Sequence, residues 1–182
     1  EIQLGDWSSD VCSSDLRCHV DFMTTGDAQI RHVYLSLGSN QGNKRRNMIT
    51  ALALLAERAG DIPSLSAFYE TEPWGFESDN TFLNAVAYLQ TTLSPTDLLA
   101  LTQQIERELG RTVKSENHAY HDRLIDIDIL LYDDWVYETP ELTVPHPLMH
   151  RRRFVLEPLA EVAPALRHPV LHRTVDELLH AL

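Results

Sequence analysis

The chain has 182 residues, of which 43% are hydrophobic, and a formal net charge of −12. This size and apolar content suit one domain with a real core, whereas the acidic balance argues against binding to nucleic acid or an anionic membrane. No apolar run approaches the length that spans a bilayer. The only cysteines, Cys12 and Cys18, lie near the start, so no disulfide framework or cysteine-based metal site is predicted, and a cytoplasmic protein is expected.

The first thirty residues differ from the rest of the chain. They show no amphipathic period, and residues 6–16 resemble a translated sequencing adapter. We therefore expect residues 1–30 to be a disordered or artefactual leader, with Met23 as the natural start. Residues 31–182 contain no internal repeat or low-complexity block, so they are expected to form a single domain.

The sequence after residue 31 predicts six core elements. Apolar periodicity and turn residues indicate, in chain order, a strand over 32–37, a helix closed by Gly60, a strand over 65–70, a strand over 82–93, a helix capped by Ser94 and ending near 109, and a strand over 124–132. The loops between them cover 71–81 and 111–122. This order is that of an α+β protein with a ferredoxin-like βαββαβ core, a mainly antiparallel sheet with its helices packed on one face.

The C-terminal third is expected to add smaller elements. A turn at Asp133 and Asp134 predicts a hairpin that pairs residues 135–137 with the preceding strand. Residues 140–147 are expected to be irregular, and short helices are predicted near 153–161 and 174–182.

Asp126 and Asp128 are the only charged residues between positions 124 and 132. Because strand side chains alternate, both carboxylates face one way, and the isoleucines between and beside them face the other way, into a core. Two neighbouring buried carboxylates are costly without a partner, and Mg²⁺ held between them and substrate phosphates removes that cost. Arg123 adds a phosphate-binding donor. The alternative is that this face of the strand is simply solvated.

Other segments carry side chains suited to binding a ring. Residues 71–76 form an unusually aromatic loop, and Phe82 and Asn84 follow on one face of the next strand. Phenylalanine offers a flat surface, and the amide offers a donor and an acceptor to a ring edge; ordinary core packing is the alternative. Gly38, Ser39 and Asn40 end the first strand, where they either present backbone donors to a ligand or cap the following helix.

Two cationic segments are candidates for binding phosphate. The loop 111–123 is rich in Arg, Lys and His and leads directly into the Asp strand. Residues 151–153 are three successive arginines, out of character with an acidic chain. Phosphate neutralisation explains both, and solvated charges or surface salt bridges are the alternative.

Six separated motifs follow one another along the chain. They are Gly-Ser-Asn at 38–40, Phe-Tyr-x-Thr-x-Pro at 68–73, Phe-Leu-Asn-Ala at 82–85, Gly-Arg at 110–111, Arg-x-x-Asp-Ile-Asp-Ile-Leu at 123–130 and Leu-Thr-Val-Pro-His-Pro at 142–147. In this order they resemble the 6-hydroxymethyl-7,8-dihydropterin pyrophosphokinase family of the folate pathway. The resemblance runs from about Val33 to the C-terminus. It implies an enzyme that transfers pyrophosphate from ATP to a reduced pterin and releases AMP, with two Mg²⁺ ions taking part and a monomer expected.

The resemblance also implies roles for particular residues. The catalytic set is Arg123, Asp126, Asp128 and Arg152, with the two aspartates as the metal ligands. The pterin-binding set is Gly38, Asn40, Thr71, Trp74, Phe82, Asn84 and Phe154. The ATP-binding set is Gln103, Glu106, Lys114, Arg123, Ile129, Thr143, His146 and Arg152.

Two other functions are compatible with the sequence. A non-catalytic ferredoxin-like sensor of small molecules would bind a ligand without releasing AMP, and it gives no reason for two aspartates to share a face. Another metal-dependent nucleotidyl transferase would release pyrophosphate instead of AMP.

Overall fold

An antiparallel sheet organises the chain, as seen in a computed structural model that describes residues 29–72, 80–110 and 124–182. Its strands and helices are β1 (Arg31–Ser39), α1 (Lys44–Arg58), β2 (Gly60–Leu65), β3 (Tyr69–Thr71), β4 (Phe82–Thr91), α2 (Pro95–Glu108), β5 (Asp126–Tyr132), β6 (Tyr137–Glu138), β7 (Thr143–Val144), α3 (Arg153–Val162) and α4 (Val175–His180). The strand order is β2-β4-β1-β5, with β3 also paired to β4. Every pairing is antiparallel, so the predicted ferredoxin-like core is confirmed.

The second predicted strand was placed wrongly. Instead of one strand over 65–70, the structure has β2 and β3, which both pair with β4. Gly60 begins β2 at a φ of 142°, where a Cβ would lie 2.1 Å from the carbonyl oxygen of Gln90. Gly60, which was predicted to close the helix, is therefore the first residue of β2, because only glycine allows the chain to approach β4 so closely. A register shift between Asp61 and Ser64 also interrupts the regular pairing of β2 with β4, which makes this strand harder to detect from the sequence.

The two core helices lie on one face of the sheet, as predicted, and the C-terminal helices α3 and α4 cover the other face. On the first face, α1 and α2 cover an apolar surface in which Leu35, Leu37 and Ile125 are fully buried. On the opposite face, α3 and α4 pack on Val86 and Leu130. The alternation predicted for β5 is confirmed, since its isoleucines enter the first core while its aspartates face the other side.

The predicted hairpin between residues 135–137 and the Asp strand was wrong. β6 pairs instead with β7, inside a segment that was expected to be irregular and that contains a cis peptide bond at Val144-Pro145. The outer edge of β5 is already occupied. The carboxylate of Glu106 accepts a hydrogen bond from the Ile127 N–H at 2.8 Å, and the Leu130 carbonyl accepts one from the His146 N–H at 2.9 Å.

The predicted helix starts agree with the structure. Ser94 caps α2 by accepting a hydrogen bond from the Asp97 N–H, and Pro95 occupies the first turn. Thr174 and Glu177 form a capping box at the start of α4. Among the helices in the described part of the chain, none combines the length and the apolar character needed to cross a membrane.

Candidate active site

A cleft of about 550 Å³ opens on the sheet face that carries α3 and α4. Its floor comes from the three adjacent strands β4, β1 and β5, and its walls come from the β3 end and the start of α3. The lining residues are Ser36, Gly38, Thr71, Glu72, Phe82, Asn84, Asp126, Asp128, Arg152 and Phe154.

Strand register explains why these side chains meet. Gly38 of β1 lies opposite Asn84 of β4 on one side and opposite Asp126 of β5 on the other. One row deeper, Ser36 lies opposite Asp128. Because side chains two residues apart share a face, the amide and both carboxylates project into one space. At the centre of the row, a Cβ on Gly38 would lie 3.1 Å from the Asn84 Oδ1 atom. The absence of a side chain at this position therefore leaves the floor of the cleft open.

The β4 side of the cleft is suited to a flat, polar-edged ring. Phe82 and Phe154 line it from β4 and α3, and aromatic faces stack well on planar ligands. The Asn84 side-chain amide donates to the Thr71 hydroxyl at 2.7 Å, which fixes the amide plane. A ligand ring held between the phenylalanines would therefore meet an oriented amide at its edge.

The β5 side is suited to a hard cation. Asp126 and Asp128 are partly exposed and line the same cleft. Across residues 29–72, 80–110 and 124–182, no group of three or more His, Cys, Asp and Glu side chains gathers into a metal cage. Two carboxylates with the remaining positions filled by phosphate oxygens and water is the usual arrangement for Mg²⁺, so these residues fit that ion when a phosphate ligand is present.

A second cleft of about 580 Å³ lies beside the first and shares Asp128 with it. Its other lining residues are Ile127, Ile129, Pro140, Glu141, Leu142, Thr143, His146 and Pro147. The shared carboxylate places a potential cation ligand at the border of the two spaces. A ligand in one cleft and a ligand in the other would therefore approach each other beside Asp128.

His146 is held neutral in the second cleft. Its Nδ1 atom accepts a hydrogen bond from the Leu148 N–H at 3.2 Å, which puts the ring proton on Nε2. Burial, helped by the nearby Arg152 guanidinium and opposed by Asp126, lowers the pKa of His146 to about 4. At neutral pH the ring is therefore an uncharged hydrogen-bond donor.

Arg152 brings a cation into the first cleft. Only 7% of the residue is exposed, and its guanidinium lies 5.7 Å from the centre of the Phe154 ring. Its backbone carbonyl accepts the first hydrogen bonds of α3, from Val155 and Leu156. The helix start thus fixes the arginine backbone and the aromatic wall together.

The structure brings together most of the predicted site residues. The first cleft gathers Gly38, Thr71, Phe82, Asn84, Asp126, Asp128, Arg152 and Phe154, and the second gathers Ile129, Thr143 and His146. Three predicted residues line neither cleft. Asn40 is 2% exposed at the end of β1, Glu106 is 3% exposed behind β5, and Gln103 is exposed on α2. Trp74, Lys114 and Arg123 lie outside the described residues.

Sequence reasoning missed two residues of the first cleft, Ser36 and Glu72. Ser36 had a detectable signal, because it is a polar residue between Leu35 and Leu37 and stands two positions before Gly38. Residues at that spacing share a strand face. Glu72 had no comparable signal, since it lies in a loop.

The fold and the cleft define a ferredoxin-like α+β protein with an aromatic-lined cleft beside a pair of carboxylates. Residues 34–164 match the family described as 7,8-dihydro-6-hydroxymethylpterin-pyrophosphokinase. A 2-amino-4-hydroxy-6-hydroxymethyldihydropteridine pyrophosphokinase of Porphyromonas gingivalis is 57% identical over 140 residues, which are 75% of this chain and 93% of that protein. A protein of the same name from Bacillus subtilis is 41% identical over 145 residues, 79% of this chain and 85% of that protein. The chain belongs to this pyrophosphokinase family.

A solved structure shows the same fold at low sequence identity. It is the wild-type HPPK-DHPS of Plasmodium falciparum with pteroate, which matches with a TM-score of 0.68 at 17% identity. The match covers 84% of this chain and 42% of that chain, so the chain spans less than half of the solved protein.

Proposed function

We propose that this protein is an ATP-dependent diphosphotransferase that moves pyrophosphate from ATP to 6-hydroxymethyl-7,8-dihydropterin, a step of folate biosynthesis in the cytoplasm. The observation that carries the proposal is the position of Asp126 and Asp128, side by side in a cleft with an aromatic wall, with Asp128 also bordering a second cleft. Membership of the pyrophosphokinase family supports it. We further propose that residues 31–182 form one catalytic domain that acts as a monomer, without nucleic acid.

The first cleft is the proposed pterin site. The pterin ring lies between Phe82 and Phe154, and its polar edge meets the Asn84 amide and the Thr71 hydroxyl. Gly38 leaves the floor open beneath the ring. Asn40 and Trp74 are the other predicted members of this site, and their roles remain predictions.

The second cleft is the proposed nucleotide site. Ile129, Thr143 and His146 line it or border it, with the Nε2–H of His146 available as a donor to an oxygen. Arg152 neutralises phosphate charge where the two clefts meet, and Lys114 and Arg123 are predicted to do the same. Gln103 and Glu106 are the remaining predicted ATP residues, although the Glu106 carboxylate accepts a hydrogen bond from the Ile127 N–H of β5.

Asp126 and Asp128 are the proposed ligands of two Mg²⁺ ions that arrive with the nucleotide. When bound, the ions withdraw charge from the phosphate oxygens as Lewis acids. The two carboxylates would hold that positive charge at the border of the two clefts, where Asp128 lines both. Among the groups described, the site offers charge and positioning and no nucleophile–base pair, which is typical of phosphoryl transfer.

In the proposed reaction the pterin hydroxymethyl oxygen attacks the β-phosphorus of ATP. The new O–P bond forms as the bond between the β-phosphorus and the α–β bridging oxygen breaks, so AMP leaves with that oxygen. The hydroxyl proton is released to solvent. The β- and γ-phosphates stay on the pterin.

The products of one incubation test the proposal. The protein is mixed with ATP, Mg²⁺ and the reduced pterin, and the nucleotides are separated by anion-exchange chromatography. We expect AMP and the pterin diphosphate in equal amounts. Unchanged ATP with bound pterin would instead support a sensor, and release of free pyrophosphate would support a nucleotidyl transferase.

A further inference from the structure

A side-chain amide on α1 connects the end of β1 and the residues after it to the residue that precedes the Asp strand. The Nδ2 group of Asn47 lies 3.0 Å from the Gln41 carbonyl, 3.1 Å from the Leu124 carbonyl and 3.3 Å from the Ser39 hydroxyl. The Ser39 hydroxyl itself donates to the Leu124 carbonyl at 2.6 Å. Two donors from different elements therefore converge on one backbone oxygen.

The Leu124 side chain is also confined. A Cβ on Gly42 would lie 3.4 Å from its Cδ2 atom, and a Cβ on Gly110 would lie 2.7 Å from its Cδ1 atom. Both glycines have positive φ angles, 61° and 108°, which other residues rarely adopt. The leucine thus lies against two positions that cannot readily carry a side chain.

This anchored point lies just outside the sheet. The β1–β5 pairing reaches Asp126, opposite Gly38, and does not include Leu124. No ladder hydrogen bond to β1 therefore fixes the chain two residues before the first cleft carboxylate. The Asn47 and Ser39 donors supply that fixation instead.

We propose that Asn47, assisted by Ser39, is a positioning residue for the reaction, because it sets where the chain enters β5 and so where the Asp126 carboxylate lies. Asn47 lines neither cleft and acts on the metal ligand only through the backbone. This inference rests on the proposed function for its kinetic consequence, but the placement of Asp126 can be measured without turnover.

Asn43 provides a matched control on the same helix. It caps α1, its side chain accepting a hydrogen bond from the Arg46 N–H at 3.0 Å, and this contact does not involve Leu124. Asn43→Ala and Asn47→Ala both remove an amide from the first turn of α1. Loss of stability is expected from both, whereas only the second releases the Leu124 carbonyl.

The experiment measures cation binding and turnover in both variants at a temperature where each is folded. Mn²⁺ binding is followed by electron paramagnetic resonance with a non-hydrolysable ATP analogue present. For Asn47→Ala we expect Mn²⁺ to bind about 10-fold more weakly, because losing a group that orients a metal ligand usually has an effect of this size. We expect kcat to fall about 10- to 100-fold, because displacing a reacting group by about 1 Å slows a reaction by up to about that factor. Asn43→Ala should stay within about twofold of wild type in both measurements, since no metal-orienting or positioning contact is lost.

Ser39→Ala removes the second donor to the Leu124 carbonyl. It allows the inference to be tested even if Asn47→Ala folds poorly. It should weaken Mn²⁺ binding in the same direction. Wild-type Mn²⁺ affinity in both Asn47→Ala and Ser39→Ala would overturn the inference, as would equal losses in Asn47→Ala and Asn43→Ala. If the wild-type protein releases no AMP, the proposed function fails, but the Mn²⁺ titration still decides the positioning role.

Discussion

The two faces of the sheet are built for different purposes. The face under α1 and α2 carries a large apolar core, with Leu35, Leu37 and Ile125 fully buried. The opposite face is apolar only where α3 and α4 cover it, and beyond them it carries two carboxylates, an amide and a glycine. The same strands supply both faces, so one face can hold the fold together while part of the other is left available for a ligand.

Strand β5 and the residue before it show this contrast within five residues. Ile125, Ile127 and Ile129 enter the core, and the alternating Asp126 and Asp128 enter the cleft. Removing water from apolar surface stabilises the fold, whereas crowding like charges opposes it. Substitutions on the two faces should therefore separate stability from activity.

Substitution of either cleft aspartate should have the largest effect. Asp126→Ala and Asp128→Ala are expected to reduce AMP release about a thousandfold or more, because each removes a ligand of the catalytic cation. The melting temperature should change less than in a core truncation, because both side chains are partly exposed. Asp134→Ala, at an exposed turn position, is the control for loss of a carboxylate. Near-normal turnover in either cleft variant would show that the substituted aspartate is not a required cation ligand.

Core truncations on the two faces should differ in their kinetics. Leu35 and Leu156 are both fully buried, one under α1 and α2 and one in α3. Each leucine-to-alanine change should lower the free energy of unfolding by about 2–5 kcal/mol, measured by urea denaturation. Only Leu156→Ala should also raise the KM for the pterin, because α3 carries Phe154. Equal KM values in the two variants would show that the covered part of the second face does not support the cleft.

Protonation of His146 should destabilise the protein in acid. Its pKa falls from 6.5 to about 4 on folding, so the unfolded chain takes up the proton first as the pH drops. The stabilising contribution is complete above pH 6.5 and is lost between pH 6.5 and about 4, amounting to at most about 3 kcal/mol. His146→Asn keeps an acceptor near the Leu148 N–H and should lack this part of the pH dependence of unfolding. Parallel pH profiles for the variant and the wild type would contradict the assignment.

Substitution in the aromatic wall should have the smallest effect. Phe82→Leu is expected to raise the KM for the pterin about three- to tenfold, because a stacked aromatic pair contributes roughly 1 kcal/mol beyond its buried area. The KM for ATP should not change. Phe82→Tyr, which keeps the ring, should retain the wild-type value. A matching rise in the KM for ATP would place Phe82 outside a dedicated pterin site.

Features that depend on neighbouring residues were predictable from the sequence. The alternation in β5 and the caps at Ser94 and Thr174 follow from rules that span a few positions. The positions of β2 and the hairpin were not predictable, because they depend on distant contacts. The Gln90 carbonyl leaves no room for a side chain at Gly60. The Ile127 N–H at the edge of β5 donates to the carboxylate of Glu106, 21 residues away in sequence.

The candidate site was predictable to the extent that motif order predicts register. Gly38, Asn84 and Asp126 come from three motifs, and antiparallel pairing aligns them in one row. The position of Glu106 behind the strand was not predictable, since a buried glutamate on a helix does not reveal which backbone group it meets. Nor was the anchoring by Asn47, which by its spacing is an ordinary residue of the α1 face.

The missing side chain at position 38 has a consequence for inhibition. A planar inhibitor lying in the cleft would contact main-chain atoms of β1, and a Cβ there meets the Asn84 amide at 3.1 Å. Any mutation that adds bulk at this point to expel the drug would also expel a natural substrate that occupies the same space. Mutations of Gly38 that confer resistance should therefore be rare for compounds that contact this residue.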